Sequence, residues 1–99
     1  MRKIENKLAT AWENNQTCSI SNTTILKEGN TLSLVLFGNT IAEKDLNTGS
    51  TRITLCGYNT TTTRSRLNNV IGVRVYSKNF TPHLEGKPID PDQWYTLEA

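Results

Sequence analysis

The sequence contains few of the residues from which metal sites are built. Its 99 residues include one histidine, His83, and two cysteines, Cys18 and Cys56, which lie 38 residues apart without a CxxC pair. A zinc site needs four nitrogen, sulfur or oxygen ligands, usually in closely spaced pairs. The acidic residues at 90–92 flank a proline and are typical of a turn, because a divalent-cation loop needs more oxygen ligands. We therefore predict no metal site and no cofactor.

Long apolar runs are missing as well. No segment approaches the ~20 apolar residues of a membrane-spanning helix. The opening stretch MRKIENKLATAWENN contains charges where a secretory signal has an apolar run. We therefore expect no membrane contact and a cytoplasmic location, in which both cysteines stay reduced and partly buried.

A strong excess of one charge is also missing. Eleven lysines and arginines oppose nine aspartates and glutamates, so the net charge is +2. Proteins that coat duplex DNA usually have a much larger basic excess, so this class is disfavoured, whereas a local anion site remains open. The sequence lacks a Walker loop, a dinucleotide fingerprint, a G-x-S-x-G motif and any paired acid and base at a recognisable spacing. We predict no catalytic residues and no enzyme activity.

The length fits a single domain, residues 1–99. A hydrophobic fraction of 35% with 20% charged residues is ordinary for a small globular protein and too balanced for a disordered chain. A domain of this size buries a modest core and is often marginally stable by itself. We therefore expect a homo-oligomer.

Hydrophobic periodicity predicts a helix followed by an antiparallel sheet. Residues 2–14 are typical of an amphipathic helix, because apolar residues recur on one face. These residues are Ile4, Leu8, Ala11 and Trp12. The period then changes to two: residues 23–37 predict a hairpin that turns at a Gly-Asn pair, and residues 40–45 and 51–57 predict two further strands. The four strands form a predicted meander.

A second helix and a small β-extension are predicted after the meander. Three apolar residues between 67 and 71 form a short helical stripe. Residues 72–80 are typical of a strand, residues 83–89 of a hairpin that turns at a Glu-Gly pair, and residues 90–97 of a turn with a short strand. The predicted fold class is α+β: an N-terminal helix packed on an antiparallel β-meander, a second short helix, then a small β-extension.

The segment CGYNTTTTRSRLNNVIG, residues 56–72, is the strongest candidate for a functional site. It is open to three interpretations: a disordered polar tract, a threonine-capped helix with solvated arginines, or a site for an anionic ligand. A helix N-terminus offers unpaired N–H donors and a partial positive charge, and arginine matches phosphate oxygens. A threonine cap occupies one donor, and other hydroxyls can face a ligand. The predicted ligand-binding residues are Tyr58, Thr60, Thr61, Thr62, Thr63, Arg64, Arg66 and Asn68.

The two arginines of this segment cannot share one face of a helix. Arg64 and Arg66 are two residues apart, which is about 200° around the helix axis. Arg64 shares a face with Asn68, and Arg66 shares a face with Asn69. One arginine can therefore serve the ligand while the other serves the structure or a second subunit.

Aromatic residues near the segment are candidates for stacking on a ligand ring. Tyr58 directly precedes the threonine tract, and Phe37 ends a predicted strand before a turn. A nucleobase stacked on either ring would gain roughly 1–3 kcal/mol. Trp12 and Trp94 are expected to fill the core instead.

Four blocks of the chain resemble a group of small phage-encoded proteins. These blocks are MRKIENKL, LVLFGNTIAE, TLCGYNTTTTRSRLNNV and LEGKPIDPDQWY, and their order matches as well as their content. The resemblance implies a phage protein that works in the host cytoplasm. Small phage proteins of this size often act on host machinery or host defence, and one class sequesters cyclic-nucleotide or cyclic ADP-ribose immune signals. The resemblance identifies no binding residues.

Three functions are compatible with these patterns. The first is non-enzymatic binding of a phosphate-bearing small molecule or nucleotide, which would sequester a host immune signal. The second is a single-stranded nucleic-acid-binding module, for which Arg52, Arg74 and Lys78 and exposed aromatics on a β-rich body are suited. The third is an inhibitor that docks onto a host protein through free strand edges and the Trp94-Tyr95 segment. We favour the first, because capping explains only one or two of the four threonines.

Overall fold

Helix α1 spans Lys3–Glu13 and confirms the predicted N-terminal helix. The computed structural model describes residues 3–97, so residue 2 of the predicted helix lies outside the described residues. Leu8 and Trp12 are buried, as the periodicity predicts. Within residues 3–97, no helix is long and apolar enough to span a bilayer.

One acidic residue of α1 departs from the predicted pattern. The periodicity places Glu5 on the polar face, but its side chain is fully buried, while the neighbouring Ile4 is only partly buried. The physical reason is an ion pair, because the Glu5 carboxylate meets the buried guanidinium of Arg66. A pattern of apolar residues cannot register such a pair.

Five consecutive strands form the antiparallel meander, which contains the four predicted strands and one further strand, the first, that was not predicted. They are β1 (Cys18–Ile20), β2 (Thr23–Glu28), β3 (Thr31–Leu36), β4 (Asn39–Asp45) and β5 (Thr51–Ile53). Each strand pairs with the next, and β2 and β3 join at the predicted turn, Gly29-Asn30. The three leucines of β3 all lie in the core, together with the buried side chains of α1.

Strand β5 is shorter than predicted. The alternating pattern continues to Gly57, but β5 ends at Ile53, and the backbone then turns: Cys56 and Gly57 have positive φ angles of 52° and 80°. The Tyr58 N–H closes this turn by donating to the Leu55 carbonyl at 2.9 Å. Both cysteines are free and partly buried, as expected.

The threonine tract begins the second helix and is not a disordered run. Helix α2 spans Thr61–Arg66 and passes directly into a π-helical turn at Leu67–Ile71. Leu67 and Val70 are buried, and the π-helical turn packs against α1. Gly72 ends the segment at a φ of 90°, a left-handed conformation that glycine adopts without steric penalty.

Three short strands form a separate antiparallel sheet, which is the predicted β-extension. They are β6 (Val75–Lys78), β7 (Thr81–Leu84) and β8 (Lys87–Pro88), in that order. The turn between β7 and β8 is the predicted Glu-Gly pair, because Leu84 pairs with Lys87. Strand β6 ends earlier than predicted, since the next two residues form the turn to β7.

The C-terminal segment returns to the main sheet. Strand β9 (Tyr95–Thr96) pairs with β5, so the six-stranded sheet has the order β1-β2-β3-β4-β5-β9. Trp94 is 37% exposed and lies against the Arg52 guanidinium, 4.3 Å from the ring centroid to Cζ. The expectation that Trp94 fills the core was wrong, whereas Trp12 does fill it. The α+β fold class is confirmed.

Candidate functional site

Two of the four threonines cap the first turn of α2. Thr60 is the N-cap residue, with φ and ψ of −109° and 158°, and its hydroxyl oxygen accepts a hydrogen bond from the Thr63 N–H at 3.2 Å. The hydroxyl oxygens of Thr60 and Thr63 also lie 2.9 Å apart. Thr63 is buried, whereas Thr61 is exposed and Thr62 is partly buried. Capping therefore accounts for Thr60 and Thr63 but not for the two threonines between them.

Arg66 lies in the interior of the protein. Its side chain is 3% exposed, and Nη1 donates to Glu5 Oε2 at 2.7 Å. Its Nε donates to the Thr23 hydroxyl at 2.9 Å, and Nη2 donates to Asn22 Oδ1 at 3.2 Å. Each guanidinium nitrogen thus has a protein acceptor. Arg66 is the arginine that serves the structure, and we do not retain it among the proposed ligand-binding residues.

A buried polar network around Glu5 fixes the orientation of α2. The Ser65 hydroxyl donates to Glu5 Oε2 at 2.8 Å, and Asn69 Nδ2 donates to Glu5 Oε1 at 3.0 Å. With the Arg66 ion pair, these bonds connect α1, α2, the π-helical turn and β2. Because an unpaired buried charge is costly, the network favours one rotation of α2 about its axis. That rotation decides which threonines face outward.

Arg64 folds back over the N-terminus of its own helix. Its Nη1 donates to the Asn59 carbonyl at 3.0 Å and to Asn59 Oδ1 at 2.6 Å, while Nη2 lies 3.5 Å from the Thr61 hydroxyl oxygen. A cation normally stabilises the C-terminus of a helix, where the partial charge is negative. Here the guanidinium adds to the partial positive charge of the N-terminus. This end of α2 is therefore a point of positive potential.

Asn68 connects the π-helical turn to β6. Its Nδ2 donates to the Val75 carbonyl at 2.9 Å, and its Oδ1 accepts from the Val75 N–H at 2.6 Å. The side-chain amide thus pairs with the backbone as a neighbouring strand would. Asn68 lines a shallow depression of about 400 Å³ together with Arg64 and Tyr76, but its amide is already engaged in holding the fold.

A groove beside the first turn of α2 brings together residues from three parts of the chain. It has a volume of about 450 Å³. Leu36, Ile41 and Leu55 supply its buried apolar lining, and Phe37 and Tyr58, which are 69% and 54% exposed, supply its aromatic lining. Its polar lining residues are Asn39, Thr60, Thr62 and Thr63. We call this cavity the Phe37–Tyr58 groove.

Two tight turns bring the aromatic side chains to the groove. Phe37 and Gly38 form the two-residue turn between β3 and β4, with φ angles of 51° and 79°. On the other side, Gly57 precedes Tyr58, and a Cβ atom at Gly57 would lie 2.9 Å from Asp92 Oδ1. Its φ of 80° also disfavours any L-residue. Glycine at position 57 therefore permits the turn that presents Tyr58.

The structure distributes the predicted ligand-binding residues over three places. The groove holds Tyr58, Thr60, Thr62 and Thr63. The shallow depression holds Thr61, Arg64 and Asn68. The interior holds Arg66. Phe37, the second stacking candidate from the sequence, joins Tyr58 in the groove. Sequence reasoning missed Asn39, which a search for polar residues directly after the Phe-Gly turn would have found.

Lys44 has a displaced pKa but does not line the groove. Burial lowers the pKa of Lys44 below its ordinary value of 10.5, and the carboxylate of Glu13 opposes this shift. The ammonium donates to the Trp12 carbonyl at 2.7 Å and to Asn15 Oδ1 at 2.9 Å, which fastens the end of α1 to β4. Among residues 3–97, no three His, Cys, Asp or Glu residues form a group that could hold a metal ion.

Comparison with known proteins gives a match at the level of the family. No curated protein and no solved structure matches the chain. The family model described as Kyanoviridae Gp96 protein matches residues 1–98, which is nearly the whole chain and includes both the groove and α2. This match confirms the resemblance to phage-encoded proteins. The chain belongs to the Kyanoviridae Gp96 protein family.

Proposed function

We propose that this phage protein is a non-enzymatic binder of a phosphate-bearing small ligand with a planar ring, such as a nucleotide. The observation that carries the proposal is the Phe37–Tyr58 groove, in which two exposed aromatic side chains share an apolar cavity with three threonines. Ligand sites combine mostly apolar surfaces with a few polar groups in this way. The volume of about 450 Å³ is within the usual range for a small molecule.

The ring of the ligand would occupy the aromatic part of the groove. Phe37 and Tyr58 reach it from two different turns, so a ring that enters the cavity meets both side chains. The buried leucines and isoleucine beneath provide apolar contact. The Asn39 amide supplies a donor and an acceptor that suit the polar edge of a nucleobase.

The phosphate would lie at the first turn of α2. Helix geometry leaves the N–H groups of Thr61 and Thr62 without intrahelical acceptors. Thr62 lines the groove at this end, and Arg64, which lies on the side of the shallow depression, holds a positive charge over the same turn. An anion here would offset the unfavourable position of the Arg64 cation at the positive end of the helix. Arg64 is thus the arginine that we assign to the ligand.

Sequestration is the role that we propose for this binding. A protein that holds a host nucleotide immune signal removes it from its receptor without any chemical step, and it would do so in the host cytoplasm. The groove is open on a 99-residue chain. A second subunit that covers it would increase the buried area of the ligand, and we therefore propose a homo-oligomer as the binding form.

Isothermal titration against linear nucleotides, cyclic mononucleotides, cyclic dinucleotides and cyclic ADP-ribose tests the proposal. Tyr58→Ala and Phe37→Ala should each weaken binding by about fivefold or more, because a stacked base is worth roughly 1–3 kcal/mol. Leu26→Ala is the control, since Leu26 is an exposed apolar residue of β2 that does not line the groove. Equal losses in all three variants, or no binding of any nucleotide by the wild type, would refute the proposal.

The phosphate contact has its own test. Arg64→Gln should weaken binding of a phosphorylated ligand by about tenfold, the usual effect of losing a charge-assisted hydrogen bond. It should not alter binding of the corresponding unphosphorylated nucleoside. Lys27→Gln removes an exposed positive charge on β2 and serves as the control. A similar loss in the control would show that overall charge, and not Arg64, attracts the phosphate.

A further inference from the structure

The turn between β6 and β7 contains a residue that the fold itself does not favour. Asn79 and Phe80 form a two-residue turn with φ angles of 51° and 64°, as in a type I′ turn, whose second position strongly favours glycine. Phe80 is 98% exposed. Its ring therefore gains no burial, while its backbone adopts a left-handed conformation that is unfavourable for an L-residue.

Two other turns of this protein provide an internal comparison. The β3–β4 turn and the β7–β8 turn also have positive φ at both central residues, and their second positions are Gly38 and Gly86. Phe80 stands where these turns have glycine. Because neither backbone conformation nor packing explains phenylalanine at this position, its ring is a candidate contact for something outside the chain.

The outer face of the same hairpin combines aromatic rings with positive charge. Tyr76 and His83 are cross-strand partners whose rings stack 5.1 Å apart with an interplanar angle of 7°. The Arg74 guanidinium lies 5.5 Å from the Tyr76 ring centroid. Lys78 follows two residues after Tyr76 and therefore shares its face of the strand. The opposite face packs inward through Val75.

Basic residues outnumber acidic ones in the stretch that contains this small sheet. Residues 74–88 contain three basic side chains and one acidic side chain, whereas the remainder of the sequence contains eight basic and eight acidic residues. Lys87 pairs with Leu84 on the inward face, so Arg74 and Lys78 are the basic residues on the face of Tyr76, which is partly buried. Phe80 is the exposed aromatic residue of the hairpin. A near-neutral protein with a local basic and aromatic strip matches the recognition of a single strand better than that of a duplex.

We propose that the outer face of the β6–β7 hairpin binds single-stranded nucleic acid. Lys78 and Arg74 contact backbone phosphates, and a base that is not paired in a duplex stacks on Phe80. The proposal uses residues outside the Phe37–Tyr58 groove and is independent of the function proposed for that groove.

Fluorescence anisotropy with labelled oligothymidine, oligouridine and a duplex of equal length tests the hairpin. Phe80→Gly is the decisive variant, because glycine suits the turn and should maintain or raise the unfolding midpoint while it removes the ring. We expect the wild type to bind both single strands with a dissociation constant below about 10⁻⁴ M and to bind the duplex more weakly. Phe80→Gly should bind the single strands at least about fivefold more weakly than the wild type. Equal affinity of Phe80→Gly and the wild type would overturn the proposal, as would tighter binding to the duplex.

Charge variants separate the hairpin from general electrostatics and from the groove. Lys78→Gln should reduce the slope of log K against log salt by about 0.7, the value for one phosphate contact on a single strand, whereas Lys27→Gln should not. Oligonucleotide binding that is lost in Tyr58→Ala but retained in Phe80→Gly would assign the strand to the groove and overturn the proposal. Absence of oligonucleotide binding together with Phe80-dependent binding of a host protein would also overturn it, in favour of protein docking.

Discussion

Arg66→Met removes a guanidinium that three acceptors hold in the interior, and with it the ion pair between Arg66 and the buried Glu5 carboxylate. The Arg66 and Glu5 side chains are 3% and 0% exposed, so water does not reach the carboxylate to replace the guanidinium. Loss of one member of a buried ion pair typically costs about 3–5 kcal/mol. The total stability of a domain is about 5–15 kcal/mol. Arg66→Met should therefore remove a large fraction of the free energy of unfolding.

Urea unfolding followed by tryptophan fluorescence measures this loss, because Trp12 is 5% exposed and reports on the core. At about 4–8 °C per kcal/mol for a domain of this size, Tm should fall by more than about 10 °C. Arg64→Met is the matched control. It replaces an arginine two positions away whose contacts lie at the partly exposed start of α2, and it should cost less than about 1 kcal/mol.

A double-mutant cycle separates the ion pair from general packing. The Glu5→Leu/Arg66→Met protein lacks both charges of the pair, so its loss of unfolding free energy should be smaller than the sum of the two single losses by at least about 1 kcal/mol. The buried pair does not hold α2 in place if the unfolding free energy of Arg66→Met lies within about 1 kcal/mol of the wild-type value, or if the two single losses of unfolding free energy simply add.

Two further predictions concern the cap of α2 and the partly buried Lys44. Thr60→Ala should destabilise the protein by about 1 kcal/mol in urea unfolding, because it removes the hydroxyl that caps the Thr63 N–H. Thr61→Ala should have a smaller effect, and equal effects of the two variants would contradict the assigned cap. Burial lowers the pKa of Lys44 in the folded state, so the unfolded chain binds more protons between that lowered pKa and 10.5. The stability of the wild type relative to Lys44→Met should therefore rise as the pH is raised toward 10.5. A stability difference that falls with pH would show that the sign is wrong.

The two proposed binding surfaces are linked through a short loop. Asn59 follows Tyr58 of the groove, its carbonyl and side chain accept from Arg64, and its Nδ2 donates to the Ser77 hydroxyl of β6 at 3.3 Å. A ligand in the groove and a strand on the hairpin would therefore contact neighbouring elements. Titrating oligonucleotide in the presence of saturating nucleotide would show whether the two sites influence each other.

Most elements of the fold could be predicted from the sequence because their patterns are local. The stripe on α1, the alternating leucines of β3 and the Gly-Asn and Glu-Gly turns each depend on residues that are close in the chain. The end of β5 was not predictable in the same way. Its alternating pattern continues to Gly57, so no local signal marks the end of the strand at Ile53. The turn at Gly57 lies against Asp92, which belongs to a distant segment.

The candidate site could be predicted in composition but not in arrangement. The sequence indicated a hydroxyl-rich helix start with arginines two residues apart, and their separation by about 200° required that they face different surroundings. It could not say which arginine turns inward. That outcome depends on Glu5, which lies 61 residues before Arg66.

The sequence by itself determined the α+β class, the positions of the helices and most strands, and a threonine-rich helix start, since periodicity and turn chemistry act over a few residues. Only the tertiary structure decided that Phe37 and Tyr58 line one groove, that β9 pairs with β5, and that Arg66 is buried while Arg64 is not. The physical reason is that a buried ion pair and a strand pairing join residues whose separation along the chain leaves no local pattern.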